Sequence, residues 1–180
     1  MSKPKVLFIC THNSARSQIC EAYLSKSAGD RFEVESAGFE TTTINPLAVD
    51  VMKEEGIDMS ANKTQSVFDL YKEGKLFDYV IKVCKDEENL CPTFPGITQR
   101  LHWAFEDPAS FTGSKTKKLA KTRELRDQIK QTIQDWLEEM TAQGAAQLQR
   151  EGLSAAGAGP ARVLLYCRFR GQETPLELRY

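Results

Sequence analysis

A cysteine and an arginine enclose the loop that follows the first apolar run of the chain. The segment reads Cys10-Thr-His-Asn-Ser-Ala-Arg16-Ser17, so the loop between the two residues consists of Thr11, His12, Asn13, Ser14 and Ala15. Backbone N–H groups in such a loop, the N terminus of a following helix and the guanidinium of Arg16 can together surround a tetrahedral oxyanion such as phosphate, sulfate or arsenate. The same positive field stabilises a thiolate at Cys10. The spacing therefore predicts an oxyanion-binding loop with a cysteine nucleophile.

Two residues of this segment are candidates for supporting roles. Ser17 can donate its hydroxyl to a thiolate at Cys10, and Asn13 can hold the loop through side-chain to backbone hydrogen bonds. The alternative is a core cysteine that ends a strand and a surface arginine that opens a helix, because this spacing also occurs by chance. The strand-like run before the loop and the helical pattern after it favour the site.

A carboxyl group that could serve as a general acid follows the fourth predicted strand, in Asp107-Pro108. The carboxyl ends of parallel strands meet at one edge of a sheet, so Asp107 can face the loop at Cys10. There it could protonate the oxygen that leaves when the thiolate attacks. The alternatives are an ordinary Asp-Pro turn and, as the acid, the neighbouring Glu106.

Two further cysteines suggest redox chemistry. Cys84 ends the third predicted strand, and Cys91 follows after six residues of mostly polar, helix-tolerant sequence. A hydrolase needs neither thiol, whereas a relay uses both: Cys84 attacks an adduct at Cys10, and Cys91 then attacks the resulting disulfide. Zinc is the rival interpretation, but zinc ligands are usually separated by two to four residues and no histidine pair accompanies these cysteines. We interpret His12 in the loop and His102 in a strand as structural or rim residues rather than metal ligands. Cys20 is expected to pack on the buried face of the first helix, and Cys167 belongs to the end of the chain; we assign neither thiol a role.

The elements that must position these residues are predicted by hydropathy. Apolar runs alternate with amphipathic helical ones, which indicates an α/β fold whose parallel sheet is flanked by helices. Strands are predicted at Lys5 to Ile9, Phe32 to Ser36, Phe77 to Val83 and Leu101 to Phe105. Helices are predicted at Ala15 to Ser27, from Pro46 after an Asn45 N-cap to about Gly56, and through Leu125, Ile129, Ile133, Trp136, Leu137 and Met140.

Composition limits the remaining possibilities. The chain has 180 residues, of which 41% are hydrophobic, enough for one sizeable core. Its 24 basic and 25 acidic residues exclude bulk electrostatic binding, so we expect binding to neither nucleic acid nor membrane. We also expect a monomer. No apolar run near the start approaches the roughly 20 residues of a membrane span, and we expect a cytoplasmic protein with reduced cysteines.

The end of the chain differs from the rest. Residues 141–180 contain five arginines and no lysine, with an Ala/Gly-rich stretch, whereas every lysine lies before them. We therefore predict a functional domain at residues 1–140. The C-terminal extension at residues 141–180 is expected to be flexible and is assigned no role.

Five segments of the chain resemble the thioredoxin-coupled arsenate reductases, which share their fold with the low-molecular-weight protein tyrosine phosphatases. The segments are VLFICTHNSARSQ at the loop, VESAG at residues 34–38, INP at 44–46, VCKDEENLCP at 83–92 and HWAFEDPA at 102–109. The resemblance covers about residues 4–140. It implies a four-stranded parallel sheet with helices on both faces, arsenate as substrate and arsenite as product.

The resemblance also implies a role for each candidate residue. Cys10 would attack arsenate held by the loop and Arg16, while Asp107 protonates the departing oxygen. Cys84 would then attack the arsenic adduct and release arsenite, leaving a transient Cys10–Cys84 disulfide. Cys91 would take this over as a Cys84–Cys91 disulfide. Thioredoxin would reduce that disulfide with electrons from NADPH through thioredoxin reductase, and no tightly bound cofactor is implied.

A potassium ion is a further implication of the resemblance. Some members bind potassium beside the loop, and Asn13, Glu21 and Ser36 match three of those positions. The acidic residue expected near Ser66 is missing.

Two other functions stay open. A low-molecular-weight tyrosine phosphatase would use the same loop and acid, but Asp107-Pro108 is followed by Ala109-Ser110 rather than by aromatic residues. Gln18 also replaces the proline that those enzymes tend to have. A thiol redox sensor or an anion-binding module would use the same cysteines without turnover.

Overall fold

The computed structural model describes residues 3–85, 94 and 99–150, with side chains up to residue 143, and the short strands at 168–169 and 172–173. The chain divides into two compact units, Met1–Ile133 and Gln134–Tyr180. The sequence-based boundary after residue 140 stays a prediction.

A four-stranded parallel sheet forms the centre of the first unit. Its strands are β1 (Lys5–Cys10), β2 (Glu33–Gly38), β3 (Tyr79–Cys84) and β4 (Gln99–Phe105). They lie in the order β2-β1-β3-β4, and each neighbouring pair is parallel. The α/β prediction is therefore confirmed. The strand that follows β1 in the chain, β2, lies on one side of β1, and the next strand, β3, lies on the other side. The topological switch point of the sheet therefore lies between β1 and β3.

Helices cover the sheet. They are α1 (Arg16–Ala28), α2 (Pro46–Glu54), α3 (Val67–Lys72) and α4 (Lys115–Arg150). Crossovers between parallel strands are right-handed, so the change of direction at β1 separates α1 from α3, which packs beside Leu7 and Ile9. Helix α2 is bonded to α1 and α4: Lys26 donates to the Glu55 carbonyl at 3.0 Å, and Arg126 donates to the Val51 carbonyl at 3.0 Å. In the second unit, β5 (Arg168–Phe169) pairs antiparallel with β6 (Gln172–Glu173).

The core follows the alternation of side chains along β1, which is buried after its first residue. Leu7 and Ile9 share one apolar cluster with Val67 and Leu70 of α3. Successive residues of a strand point to opposite faces, so Phe8 lies on the other face, where its ring centroid is 5.8 Å from that of Trp103 on β4. Burial of a central strand on both faces is typical of a parallel sheet.

Two helices differ from the prediction. Helix α3 was not predicted because its six residues are too few to show helical periodicity, although the Ser66 hydroxyl caps it by accepting from Phe68 N at 3.2 Å. Helix α4 continues ten residues past Met140 to Arg150, through a segment rich in the strong helix formers Ala and Gln. Among the described residues, no helix has the length and hydropathy that crossing a membrane requires.

Candidate active site

The loop after β1 occupies the edge of the sheet at the switch point. Cys10 is the last residue of β1, and Arg16 is the first of α1. None of the described side chains caps the N terminus of α1, where Ala15 stands at the N-cap. The first N–H groups of the helix therefore lack the partner that a capping side chain would supply, and they are suited to an anion.

The Cys10 thiol receives two hydrogen bonds that suit a thiolate. Its side chain is buried, and its sulfur lies 2.9 Å from Ser17 Oγ and accepts from the backbone N of Asn13 at 3.0 Å. Asn13 Nδ2 donates to Ser17 Oγ at 2.9 Å, which leaves the serine proton directed at the sulfur. Ser17 thus lies where a donor to a Cys10 thiolate was predicted, and its catalytic role stays a prediction.

Asn13 fixes the shape of the loop. Its backbone has a φ of +52°, a left-handed conformation in which asparagine is enriched. Its Nδ2 also donates to Ser36 Oγ at 2.8 Å, and its Oδ1 accepts from Gln65 N at 2.9 Å and from Gln18 Nε2 at 3.1 Å. Sequence reasoning gave no positioning role to Gln18 or Gln65, because both contacts depend on the tertiary fold.

Gly38 at the end of β2 allows the loop to approach the sheet. A Cβ atom at this position would lie 2.6 Å from Asn13 N, 2.8 Å from His12 C and 2.9 Å from Glu40 O, all of them backbone atoms. Glu40 N donates to Thr11 O at 2.9 Å on the same side. Glycine is therefore required for close packing here. The sequence signals for it were its position two residues after a predicted strand and its place in the VESAG segment of the resemblance.

Arg16 and Asp107 form the charged part of the site. Arg16 Nη2 donates to Asp107 Oδ2 at 2.5 Å, and Nη1 donates to the carbonyl of Phe105 at 3.4 Å. The Arg16 side chain is 5% exposed and that of Asp107 is 30% exposed. Asp107 Oδ1 also accepts from Ala109 N at 2.9 Å, which caps a 3₁₀ turn at Pro108–Ser110. The structure thus brings the predicted acid and the predicted anion-binding arginine together across the sheet.

The relay cysteines are described only in part. Cys84 is the last residue of β3 and is buried, and Cys10, Cys20 and Cys84 are thiols in this structure. The transient Cys10–Cys84 disulfide is accordingly not formed here. Cys91 and the predicted Cys84–Cys91 disulfide lie outside the described residues.

The other candidates lie around this centre. Glu106 pairs with Lys85 at 3.2 Å, whereas its neighbour Asp107 pairs with Arg16. His12 pairs with Glu40 at 3.3 Å. Cys20 is fully buried as predicted, and burial raises the pKa of its thiol well above the ordinary value. Within the described residues, no three His, Cys, Asp or Glu side chains are arranged to hold a metal ion.

The three predicted potassium ligands lie together but are bonded to one another. Ser36 Oγ accepts from Asn13 and donates to Glu21 Oε2 at 2.5 Å. Burial raises the pKa of Glu21, and the Ser36 hydrogen bond offsets part of this effect. Oxygen donors suit a hard cation, but Asn13 Oδ1 already accepts from Gln18 and Gln65. An ion using that oxygen would have to replace these bonds, and potassium binding stays a prediction.

Known proteins are similar to this chain in sequence and in fold. The family model of the low molecular weight phosphotyrosine protein phosphatase matches residues 5–151. An arsenate reductase of Halalkalibacterium halodurans is 40% identical over 138 residues, which are 77% of this chain and 98% of the relative. A solved structure of an arsenate reductase in the phosphate binding state is 28% identical with a TM-score of 0.64, over 76% of this chain and 98% of that one.

A third relative is the thioredoxin-dependent arsenate reductase of Corynebacterium glutamicum. Its solved structure is 30% identical with a TM-score of 0.52, over 73% of this chain and 62% of that one. The family model spans the sheet, the loop and the acid. The chain is therefore an enzyme of the low molecular weight phosphotyrosine protein phosphatase family and a relative of the arsenate reductases that share its fold.

Proposed function

We propose that this protein reduces arsenate to arsenite through a relay of Cys10, Cys84 and Cys91, with thioredoxin as reductant. One observation carries the proposal: Cys10 and Cys84 end the adjacent strands β1 and β3 at the same edge of the sheet. A phosphatase needs no second thiol at that place. The names of the relatives, arsenate reductases and one thioredoxin-dependent arsenate reductase, support the substrate and the reductant.

The first step forms the adduct. The loop N–H groups and Arg16 hold arsenate, and the Cys10 thiolate attacks its arsenic atom. A sulfur–arsenic bond forms as an arsenic–oxygen bond breaks, and Asp107 supplies the proton with which the oxygen departs as water. Arsenic stays in the +5 state. Arsenate competes with the guanidinium–carboxylate pair for Arg16, which frees Asp107 to act as the acid.

The second step transfers electrons. The Cys84 sulfur attacks the Cys10 sulfur, so the Cys10–Cys84 disulfide forms while the sulfur–arsenic bond breaks. The electron pair of that bond stays on arsenic, which becomes As(III) and leaves as arsenite. Two thiols are thereby oxidised for each arsenate reduced.

The third step regenerates the nucleophile. The Cys91 thiolate attacks the Cys84 sulfur, which forms the Cys84–Cys91 disulfide and releases Cys10 as a thiolate. The dithiol of thioredoxin then reduces Cys84–Cys91 by exchange and becomes a disulfide itself. Thioredoxin reductase and NADPH restore it.

The test is arsenate-dependent NADPH oxidation by the full chain with thioredoxin and thioredoxin reductase. We expect sustained turnover for the wild type, and none for Cys84→Ser or Cys91→Ser. Cys20→Ala is the matched control, because it removes a buried cysteine outside the relay and should keep turnover. Full turnover by either relay variant would show that the three-cysteine mechanism is wrong.

The phosphatase alternative has its own assay, because Cys10, Arg16 and Asp107 suffice for hydrolysis of a phosphoester. Cys84→Ser should hydrolyse p-nitrophenyl phosphate as fast as the wild type does. Efficient phosphoester hydrolysis without any arsenate reduction, from folded protein with reduced thiols, would assign the site to a phosphatase.

A further inference from the structure

A histidine on β4 is bonded to the main chain of Cys84. His102 Nε2 lies 2.6 Å from the carbonyl oxygen of Cys84. A carbonyl oxygen only accepts, so Nε2 must carry the proton that is donated. Both the Nε2–H neutral form of the ring and the imidazolium can make this bond. This hydrogen bond therefore links β4 to β3 and does not transfer a proton.

The bond lies at an irregularity of the sheet. Lys82 pairs with His102, but the next partner of β4 is Phe105, which pairs with Cys84. Two residues of β4 thus oppose the single residue Val83 of β3, which is the pattern of a β-bulge. Bulges interrupt the regular ladder and redirect the chain. The His102 ring supplies a cross-strand bond to Cys84 at this interruption.

The other end of the bulged segment is bonded to the oxyanion loop. The Phe105 carbonyl accepts from Arg16 Nη1 at 3.4 Å. Residues 102–105 are therefore bonded to Cys84 at their first residue and to Arg16 at their last. This segment connects the main chain of Cys84 with the arginine that holds the substrate anion.

We propose that His102 is a positioning residue that fixes Cys84 for its attack on the adduct at Cys10. The inference rests on the proposed function, in which that attack forms the Cys10–Cys84 disulfide. Disulfide formation demands specific Cβ and sulfur geometry, and misplacement of a reacting group by about 1 Å can cost roughly 100-fold in rate. The hydrogen bond of His102 is to the Cys84 carbonyl, so the proposed effect of His102 is exerted through Cys84.

Substitutions of His102 can separate this role from a general structural one. The side chain is exposed, so its replacement leaves the core intact. Glutamine offers an amide N–H donor at a similar reach, whereas leucine offers none. We expect His102→Leu to slow disulfide formation about five- to tenfold, the effect of one lost hydrogen bond, and His102→Gln to stay within about twofold of the wild type. Arg100→Leu, at an exposed position two residues earlier on β4, is the matched control.

The experiment uses the full chain carrying Cys91→Ser, which halts the relay at the Cys10–Cys84 disulfide. Reduced protein is mixed with arsenate, quenched with an alkylating agent, and the disulfide is quantified over time by mass spectrometry. A parallel arm replaces arsenate with the thiol oxidant diamide, which forms the same disulfide without the proposed reaction. Hydrolysis of p-nitrophenyl phosphate, which needs no Cys84, serves as the readout of an intact loop.

Support consists of slower disulfide formation in both arms for His102→Leu, rescue by His102→Gln, and unchanged phosphoester hydrolysis. Wild-type rates for His102→Leu would overturn the inference. Equal losses for leucine and glutamine would also overturn it, because the hydrogen bond would then not be the cause. If arsenate forms no disulfide in any protein while the diamide arm keeps the His102 dependence, the proposed function fails and the positioning role stands.

Discussion

Replacing Gly38 by alanine should displace the oxyanion loop. Gly38 at the end of β2 faces backbone atoms of the loop residues His12 and Asn13 and of Glu40. An added Cβ would lie 2.6 Å from the nearest of these atoms, Asn13 N. That N–H donates to the Cys10 sulfur, so its displacement acts directly on the nucleophile. Backbone atoms cannot rotate away as a flexible side chain does. The loop must move as a unit.

The size of the effect follows from the distances. Ordinary contact begins at 3.4 Å, so the 2.6 Å approach requires a shift of 3.4 − 2.6 = 0.8 Å. A misplacement of about 1 Å at a reacting group can cost roughly 100-fold in rate. Overpacking of this kind destabilises by about 1–3 kcal/mol. We expect Gly38→Ala to lower kcat/KM about 100-fold with arsenate and with p-nitrophenyl phosphate, and to lower the Tm by several degrees.

A second glycine provides the control for stability. Gly56 after α2 has a φ of +71° and no atom within 4 Å of an added Cβ, so Gly56→Ala introduces backbone strain without a clash. That strain is worth about 1–2 kcal/mol. The two variants should therefore lose similar thermal stability, measured by the Tm, while Gly56→Ala keeps the kcat/KM of the wild type. Wild-type kcat/KM in Gly38→Ala, or equal losses of kcat/KM in both variants, would refute the reasoning.

Three further changes test individual groups of the site. Asp107→Asn should lower kcat for arsenate and for p-nitrophenyl phosphate by about 10²–10⁴, because no proton donor remains, while competitive inhibition by inorganic phosphate persists. Ser17→Ala should slow alkylation of Cys10 by iodoacetamide at pH 6 several-fold, because the thiolate loses the hydroxyl 2.9 Å away; an unchanged rate would contradict the role given to that hydroxyl. Burial raises the pKa of Glu21 from 4.5, so the stability this carboxyl contributes is complete at low pH and lost as pH rises through the raised pKa. The Tm of Glu21→Gln relative to wild type should therefore increase from pH 4.5 upward, and a constant difference would exclude this linkage.

Sequence patterns predicted β1 and β3 best, because each is a short, mostly apolar run with clear ends. The strands at Lys5 and Phe77 were predicted within about two residues of their observed bounds. The Asn45 N-cap is confirmed, since its side chain accepts from Leu47 N at 2.9 Å. Helix α3 escaped prediction because six residues span less than two turns. Local patterns thus sufficed wherever an element was long enough to display its period.

The residues of the site fall into two groups: those that local sequence spacing predicts, and those whose contacts join distant parts of the chain. Cys10, Arg16 and Ser17 lie within eight residues of one another, so their spacing alone indicated the loop. The contacts of Asn13 with Gln65 and of His102 with Cys84 join residues 52 and 18 positions apart. No local pattern encodes such contacts. They depend on strand order and on a bulge, which only the folded chain reveals.

Strand order also determines which position can hold a thiol close enough to form a disulfide with Cys10. Neighbouring strands lie about 4.8 Å apart, which falls within the roughly 4.4–6.8 Å between the Cα atoms of a disulfide, whereas strands two positions apart are separated by about 10 Å. Only β2 and β3 adjoin β1. The end of β2 is Gly38, where a Cβ would collide with the loop, so a cysteine there would displace the loop that it has to serve. The end of β3 is the remaining position. Ile9 lies opposite Lys82 in the register, so Cys84 at that end lies one residue beyond the position opposite Cys10. Asp107 follows β4, which is one strand further from β1 than β3 is. Donating a proton does not require a covalent bond to Cys10, and the long Arg16 side chain bridges the distance between Asp107 and the loop.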